Sequence, residues 1–216
     1  MAQAHNASRE RILARIRTAL REPATKHSAP GPPGPIFPAV EDPLKHFQQE
    51  CAQNLTECVL TSDLGASAAA VAHLLASIPA GEIFVQDAPE LRRMVPIWGA
   101  NRTIRWSSEG GPLETSEATI TLAETLVAQT GSIFVSSGCG GRGASVAAPV
   151  HIVVATLDQL VSDLDTAFAR LRERGAPEKH SMLCLITGSS RTADIEKILV
   201  MGAHGPKRLV VVVALH

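Results

Sequence analysis

Apolar residues recur along this chain with two different periods, and the change from one to the other predicts its elements. Ser8–Arg21 (SRERILARIRTALR) sets Ile12, Leu13, Ile16 and Leu20 at helical spacing among arginines, with Ser8 as N-cap. Leu44–Leu55 reads as a second helix and Glu57–Thr61 as a first short strand. Leu64–Ser77, rich in Ala with Val71, Leu74 and Leu75, is a helix closed by Pro79. Gly81–Val85 is a strand, Ala88–Met94 a helix and Arg102–Trp106 a strand. Ser116–Ala128 reads as a helix, or as a short strand followed by one. Gly131–Ser136 and His151–Ala155 are strands, and Leu157–Arg174 contains an amphipathic helix.

The last stretch, Met182–His216, reads as strand, polar loop, helix, turn and buried strand. The apolar run Leu183–Ile186 stops at Thr187-Gly188-Ser189-Ser190-Arg191-Thr192. Ile195, Ile198, Leu199 and Gly202 then give a helix one apolar or small face. Gly205-Pro206 ends that helix, and Leu209–Leu215 lacks polar alternation, as a strand covered on both faces should.

Strands that alternate with helices and are themselves almost wholly apolar predict an α/β fold. Its sheet should be open and largely parallel, with helices on both faces. Pro23, Pro30, Pro32, Pro33, Pro35, Pro38 and Pro43 forbid regular structure before it. The expected organisation is an N-terminal amphipathic helix (1–22), a Pro-rich linker (23–43) and one α/β domain (44–216). Ligands of such sheets sit at the carboxyl ends of the strands. The loops after Ser136 and Ile186 are both expected there.

Composition narrows the class. Formal net charge is −1 and aromatic residues are 3% with no Tyr, so neither a basic field nor a stacking platform invites nucleic acid. Apolar runs fall well short of the roughly 20 residues of a membrane span. Cys51, Cys58, Cys139 and Cys184 form no C-x-x-C pair and suit neither a zinc cage nor an iron–sulfur cluster. No histidines or carboxylates have metal-ligand spacing. Met1–Glu22 is charged rather than apolar, so no signal peptide is read there. A reduced, cytoplasmic protein with packing thiols and no cofactor of its own is expected.

Candidate chemistry gathers in two loops. In the first, Gly188 permits a tight turn, and Ser189, Ser190 and Thr192 are suited to capping the expected helix, whose first turn holds Asp194. A strand-to-helix turn with free backbone N–H groups beside a cation, Arg191, can hold an anion. Asp194 either orients Arg191 for that task or forms a purely structural i, i+3 ion pair with it. In the second, Ser137–Ser145 (SGCGGRGAS) contains G-x-G-x-x-G, but Pro149 interrupts where a dinucleotide site needs a long helix. That loop is either a flexible connection or a ligand loop with Gly140 at its centre and Arg142 as its cation. Glu124 is a buried base or nucleophile, or a solvated helix carboxylate. His204 is a general base or a helix-end residue, and His151 a catalytic or a hydrogen-bonded core histidine.

Thr187–Val213 (TGSSRTADIEKILVMGAHGPKRLVVVV) closely resembles the signature of the LUD-domain family, the lactate utilisation protein C group. Ile120–Val135 (ITLAETLVAQTGSIFV), and Gly141-Arg142 leading into Ala148–Val154 (APVHIVV), are similar to it in the same order. The resemblance implies a fold like that of glucosamine-6-phosphate deaminase, ribose-phosphate isomerase and the CoA-transferases. It also implies work in oxidising L-lactate to pyruvate beside iron–sulfur partner subunits that carry the redox centres. Ligand contacts fall on Thr187–Thr192, Asp194, Gln129, Thr130, Gly131, Gly140 and Arg142. The family's usual E-T-G triplet is Gln129-Thr130-Gly131 here, its aspartate corresponds to Glu124 and a glycine to Leu122. An amide is neither nucleophile nor base, so carboxylate chemistry does not carry over to Gln129. The expected function is a lactate-utilisation subunit that binds a small carboxylate or phosphorylated ligand, possible homo-oligomers included. The alternatives are a non-catalytic assembly or regulatory subunit, or a stand-alone CoA-transferase or sugar-phosphate-isomerase-like enzyme.

Overall fold

The structure is a computed structural model that describes residues 2–21, 38–99, 102–193, 199–201 and 205–216. The chain divides into two units, residues 1–38 and 39–216. The first contains α1 (Ala2–Ala19), and Ile12, Ile16 and Leu20 are exposed at its C-terminal end. Residues 22–37, which hold most of the expected 23–43 linker, lie outside the described residues. No helix among the described residues is long and apolar enough to cross a membrane.

The second unit begins with α2 (Pro43–Gln53), whose N-cap Asp42 accepts from the Lys45 amide and whose first residue is a helix-compatible proline. It continues through β1 (Thr56–Thr61), α3 (Leu64–Ala76), β2 (Glu82–Val85), α4 (Pro89–Trp98), β3 (Thr103–Trp106), β4 (Ala118–Leu122) and β5 (Thr125–Val127). Then come β6 (Ser132–Ser136), β7 (Val150–Thr156), β8 (Leu160–Val161), α5 (Leu164–Glu173), α6 (Ala176–Lys179) and β9 (Leu183–Ile186). The unit closes with β10 (Arg191–Ala193), β11 (Leu199–Met201) and β12 (Arg208–Ala214).

Six strands form an all-parallel sheet in the order β1-β12-β7-β4-β2-β3. β12 lies between β1 and β7, and its unbroken run Leu209–Ala214 is wholly buried. Its alternate residues serve two cores. Val210 and Val212, with Ile152, Val154 and Ile120, meet α3 and α4 through Val71, Leu75, Leu91 and Met94. Leu209, Val211 and Val213, with Val153 and Ala155, meet Phe47 and Cys51 of α2 on the opposite face. Helices therefore flank both faces, as expected.

On the α2 side a second sheet, β8-β5-β6-β9, shares that face. Leu126, Ile133 and Val135 turn inward to the first sheet, while Val127 and Phe134 turn outward to Ala167 and Leu171 of α5. This corrects the helical reading of Ser116–Ala128, which is two strands and a short 3₁₀ turn (Ala128–Thr130). Thr119, Leu126 and Ile133 are all buried, so the apolar period there reflects burial between layers rather than a helical stripe. The helix expected after Thr192 is also corrected. Arg191–Ala193 and Leu199–Met201 pair antiparallel, and β-branched Thr192 and Val200 sit opposite one another. Residues 194–198 and 202–204, including Asp194 and His204, lie outside the described residues.

Candidate active site at the carboxyl ends of β2 and β4

β4 ends at Leu122, and two residues later the chain enters β5 of the second sheet. Glu124 occupies that crossing, so it is not a helix residue, and the Phe134 carbonyl accepts its backbone N–H at 2.8 Å. β6 returns antiparallel to β5 and delivers Ser136 beside it; Ser136 Oγ donates to Glu124 Oε1 at 2.6 Å. The Cys139 thiol donates to the same oxygen at 3.7 Å. Burial, reinforced by the Glu124 carboxylate, pushes the Cys139 thiol up to about 11. It therefore stays protonated at neutral pH and acts as a donor, not a nucleophile.

The fourth member of the cluster, His180, comes from the segment that enters β9. Its Nε2 lies 3.7 Å from Glu124 Oε1, with the two side chains 24% and 21% exposed. Two neighbours set the ring's position. The Gly138 amide donates to Ser136 Oγ at 3.0 Å, and a Cβ at residue 138 would stand 2.5 Å from His180 Cε1. Only glycine admits the ring so close to the backbone. The Gly138 carbonyl is held in turn by Gln86 Nε2 at 3.3 Å, and Gln86 Oε1 accepts from the Leu122 amide at 2.7 Å. Arg142 donates to Ser181 Oγ at 3.1 Å, which ties its cation to the residue after His180. Gly140 packs on Phe84 within the same loop. Among the described residues, Arg142 has no carboxylate partner.

Of the residues expected to act together, only Glu124, Gly140 and Arg142 come to this end. β6 and β9 are antiparallel, so the loops after Ser136 and after Ile186 leave at opposite ends, against the expectation that both face one site. Thr187 lies beside Ser132, with their hydroxyls 2.6 Å apart, and Thr130 Oγ1 is 2.7 Å from Ser132 Oγ. Ser189 Oγ donates to the Leu55 carbonyl at 2.8 Å, and Asn54 Nδ2 donates to the Thr130 carbonyl at 3.2 Å. The Ser190 amide donates to the Pro206 carbonyl just ahead of β12. These contacts place the loop at the amino ends of β1 and β12. Its hydroxyls hold the corner between α2 and β1 instead of capping a helix, and Gly131 and Gly188 pack against that corner. Gln129 is half-buried, Arg191 is exposed, and Thr192 lies in β10.

His180 and Ser136 carried no readable sequence signal. Each is a single polar residue at a strand end, and pairing across the second sheet is what brings them to Glu124. His151 resolves as a core histidine: it is fully buried on β7, with Nε2 2.9 Å from Thr121 Oγ1. No group of three or more His, Cys, Asp or Glu side chains among the described residues could hold a metal ion.

Residues 112–214, which contain the whole cluster except Gln86, match the LUD domain. The lactate utilization protein C of Halalkalibacterium halodurans is 30% identical over 120 residues, 54% of this chain and 51% of that protein. That of Deinococcus radiodurans is 34% identical over 107 residues, 47% of this chain and 48% of that protein. That of a Geobacillus species is 26% identical over 191 residues, 79% of this chain and 77% of that protein. The chain thus spans about half the length of the first two relatives. The crystal structure of a DUF162 family protein from Deinococcus radiodurans superposes with a TM-score of 0.63 at 20% identity, covering 80% of this chain and 96% of that one. The α/β fold is therefore shared, and residues 112–214 of the chain form a LUD domain.

Proposed function

We propose that this chain serves lactate utilisation, the process for which its relatives are named, by binding a small carboxylate at the carboxyl-end cluster. Arg142 and the backbone of the glycine-rich loop would take the carboxylate, and Glu124 would accept the hydroxyl proton as lactate becomes pyruvate. The C2–H bond would break in the same conversion, its proton going to solvent and the two electrons to iron–sulfur partner subunits. The observation that carries this reading is a partly exposed carboxylate held by Ser136 at the open end of β4, near a loop bearing an arginine that no carboxylate among the described residues neutralises. That end is where open parallel sheets bind ligands.

The test is thermal unfolding with lactate, with pyruvate and with a sugar phosphate. A ligand at a hundred times its Kd stabilises by about 2.7 kcal/mol. For a chain of this size that raises Tm by roughly 5–10 °C. Arg142→Ala is expected to lose the shift, whereas Arg191→Ala, at the other end of the second sheet, should keep it. The reverse pattern would move the ligand to the amino-end loop. A second reading, a non-catalytic assembly subunit, draws on the exposed Ile12, Ile16 and Leu20. It predicts no shift with any of these ligands, and loss of iron–sulfur partner co-purification in an Ile12→Asp/Ile16→Asp variant.

A further inference from the structure

The carboxyl-end cluster has a feature that carboxylate binding does not use. Glu124 Oε1 is surrounded by Ser136, Cys139 and His180, while Oε2 has no hydrogen-bond partner among the described residues. At 3.7 Å, His180 Nε2 is too far from Glu124 Oε1 for a hydrogen bond, and both side chains are partly exposed, at 24% and 21%. Both groups are pre-positioned. Ser136 fixes the carboxylate, and Gly138, pinned through Gln86, sets the near wall of the imidazole. A carboxylate base paired with an imidazole donor is the equipment for moving a proton on the carbon beside a carbonyl.

We infer that Glu124 and His180 together catalyse proton exchange at the methyl carbon of a small 2-oxo acid, pyruvate being the simplest, without any redox partner. This activity rests on the proposed binding of a small carboxylate at the same place, with Arg142 on the substrate's carboxylate. Glu124 Oε2 removes a proton from the methyl carbon. The C–H bond breaks and its electron pair moves into the carbonyl group, giving an enolate whose oxygen meets the Nε2–H of His180. The carboxyl group exchanges its proton with solvent and returns one to carbon, so pyruvate is regenerated and nothing is oxidised or reduced. His180 touches the substrate oxygen and is a catalytic residue in this scheme; Ser136 and Gln86 are positioning residues.

The experiment follows the methyl signal of pyruvate by proton NMR in D₂O with the full chain, while unfolding of the same samples reports binding. The signal should decay at least about 100-fold faster than in buffer, the lower end of what general acid–base catalysis supplies. Glu124→Gln should fall to the buffer rate. His180→Gln should lose at least tenfold while its circular dichroism stays that of the parent. Pyruvate that raises Tm without exchanging overturns this inference and leaves the carboxylate-binding reading standing. Pyruvate that does neither overturns both. Exchange that persists in both variants overturns the assignment to Glu124 and His180.

Discussion

Replacing Gly188 by alanine is expected to lower the melting temperature by about 6–12 °C, corresponding to about 3 kcal/mol in a chain of this size. Two effects add. The backbone at Gly188 has φ 88°, a region where an L-residue costs about 1–3 kcal/mol. A Cβ there would also stand 2.2 Å from the Asn54 carbonyl oxygen and 3.1 Å from its carbon. Those are backbone atoms of the turn from α2 into β1, whose next residue, Leu55, is itself at φ 58°. The corner is held by Ser189 on the Leu55 carbonyl and by Asn54 on the Thr130 carbonyl, so it cannot swing aside. Gly141→Ala is the control, because Gly141 has φ 96° with nothing within 4 Å of its added Cβ. Calorimetric scans should show a clearly smaller drop for Gly141→Ala. Equal drops would mean that backbone strain alone, not packing on the α2–β1 corner, sets the requirement at residue 188.

The second large effect is acid sensitivity from His151. Burial holds its imidazole down to about 4 from an ordinary 6.5. The native state therefore keeps the ring neutral where the unfolded chain takes up a proton. Stability is undiminished above about pH 6.5, falls as pH drops toward 4, and loses nothing further from this group below that. Between pH 7.5 and 4.5 the loss is about 2.5 kcal/mol. Carboxylates lowered by native partners, such as Asp87 held to about 2 through Arg92, contribute equally to the parent and to a His151 variant and cancel in their comparison. Urea unfolding of the parent and of His151→Asn across pH 4.5–7.5 isolates the histidine. The parent's free energy should fall more steeply by about 2.5 kcal/mol. Parallel curves would show that the ring is accessible to protons in the native state.

The Gly188 corner bears on how the Thr187–Val213 stretch is to be read. The Thr-Gly-Ser-Ser run near the end of the chain looks like an anion cradle. In the fold, Gly188 and Ser189 fasten the α2–β1 corner, and Thr187 joins a hydroxyl chain through Ser132 to Thr130. The same corner accounts for Gly131. The cluster proposed as the site sits at the other end of the second sheet, around Glu124.

The sequence alone determined the α/β class, because strands such as Leu209–Val213 carry apolar residues on both faces and only a sheet buried on both sides accepts them. It also determined most helices, through their N-caps, prolines and apolar spacing, and it marked Glu124, Gly140 and Arg142 as chemically able. Only tertiary structure decided that Ser116–Ala128 is two strands, because complete burial between layers erases the alternation that would have distinguished a strand from a helix. Tertiary structure also decided which polar residues meet. Antiparallel pairing of β6 with β9 sends Thr187 to one end and brings Ser136 and His180 to the other. Strand direction is set by how two sheets and a helix pack together. It leaves no mark in the local order of residues, so His180 becomes visible as a partner of Glu124 only once the sheets are assembled.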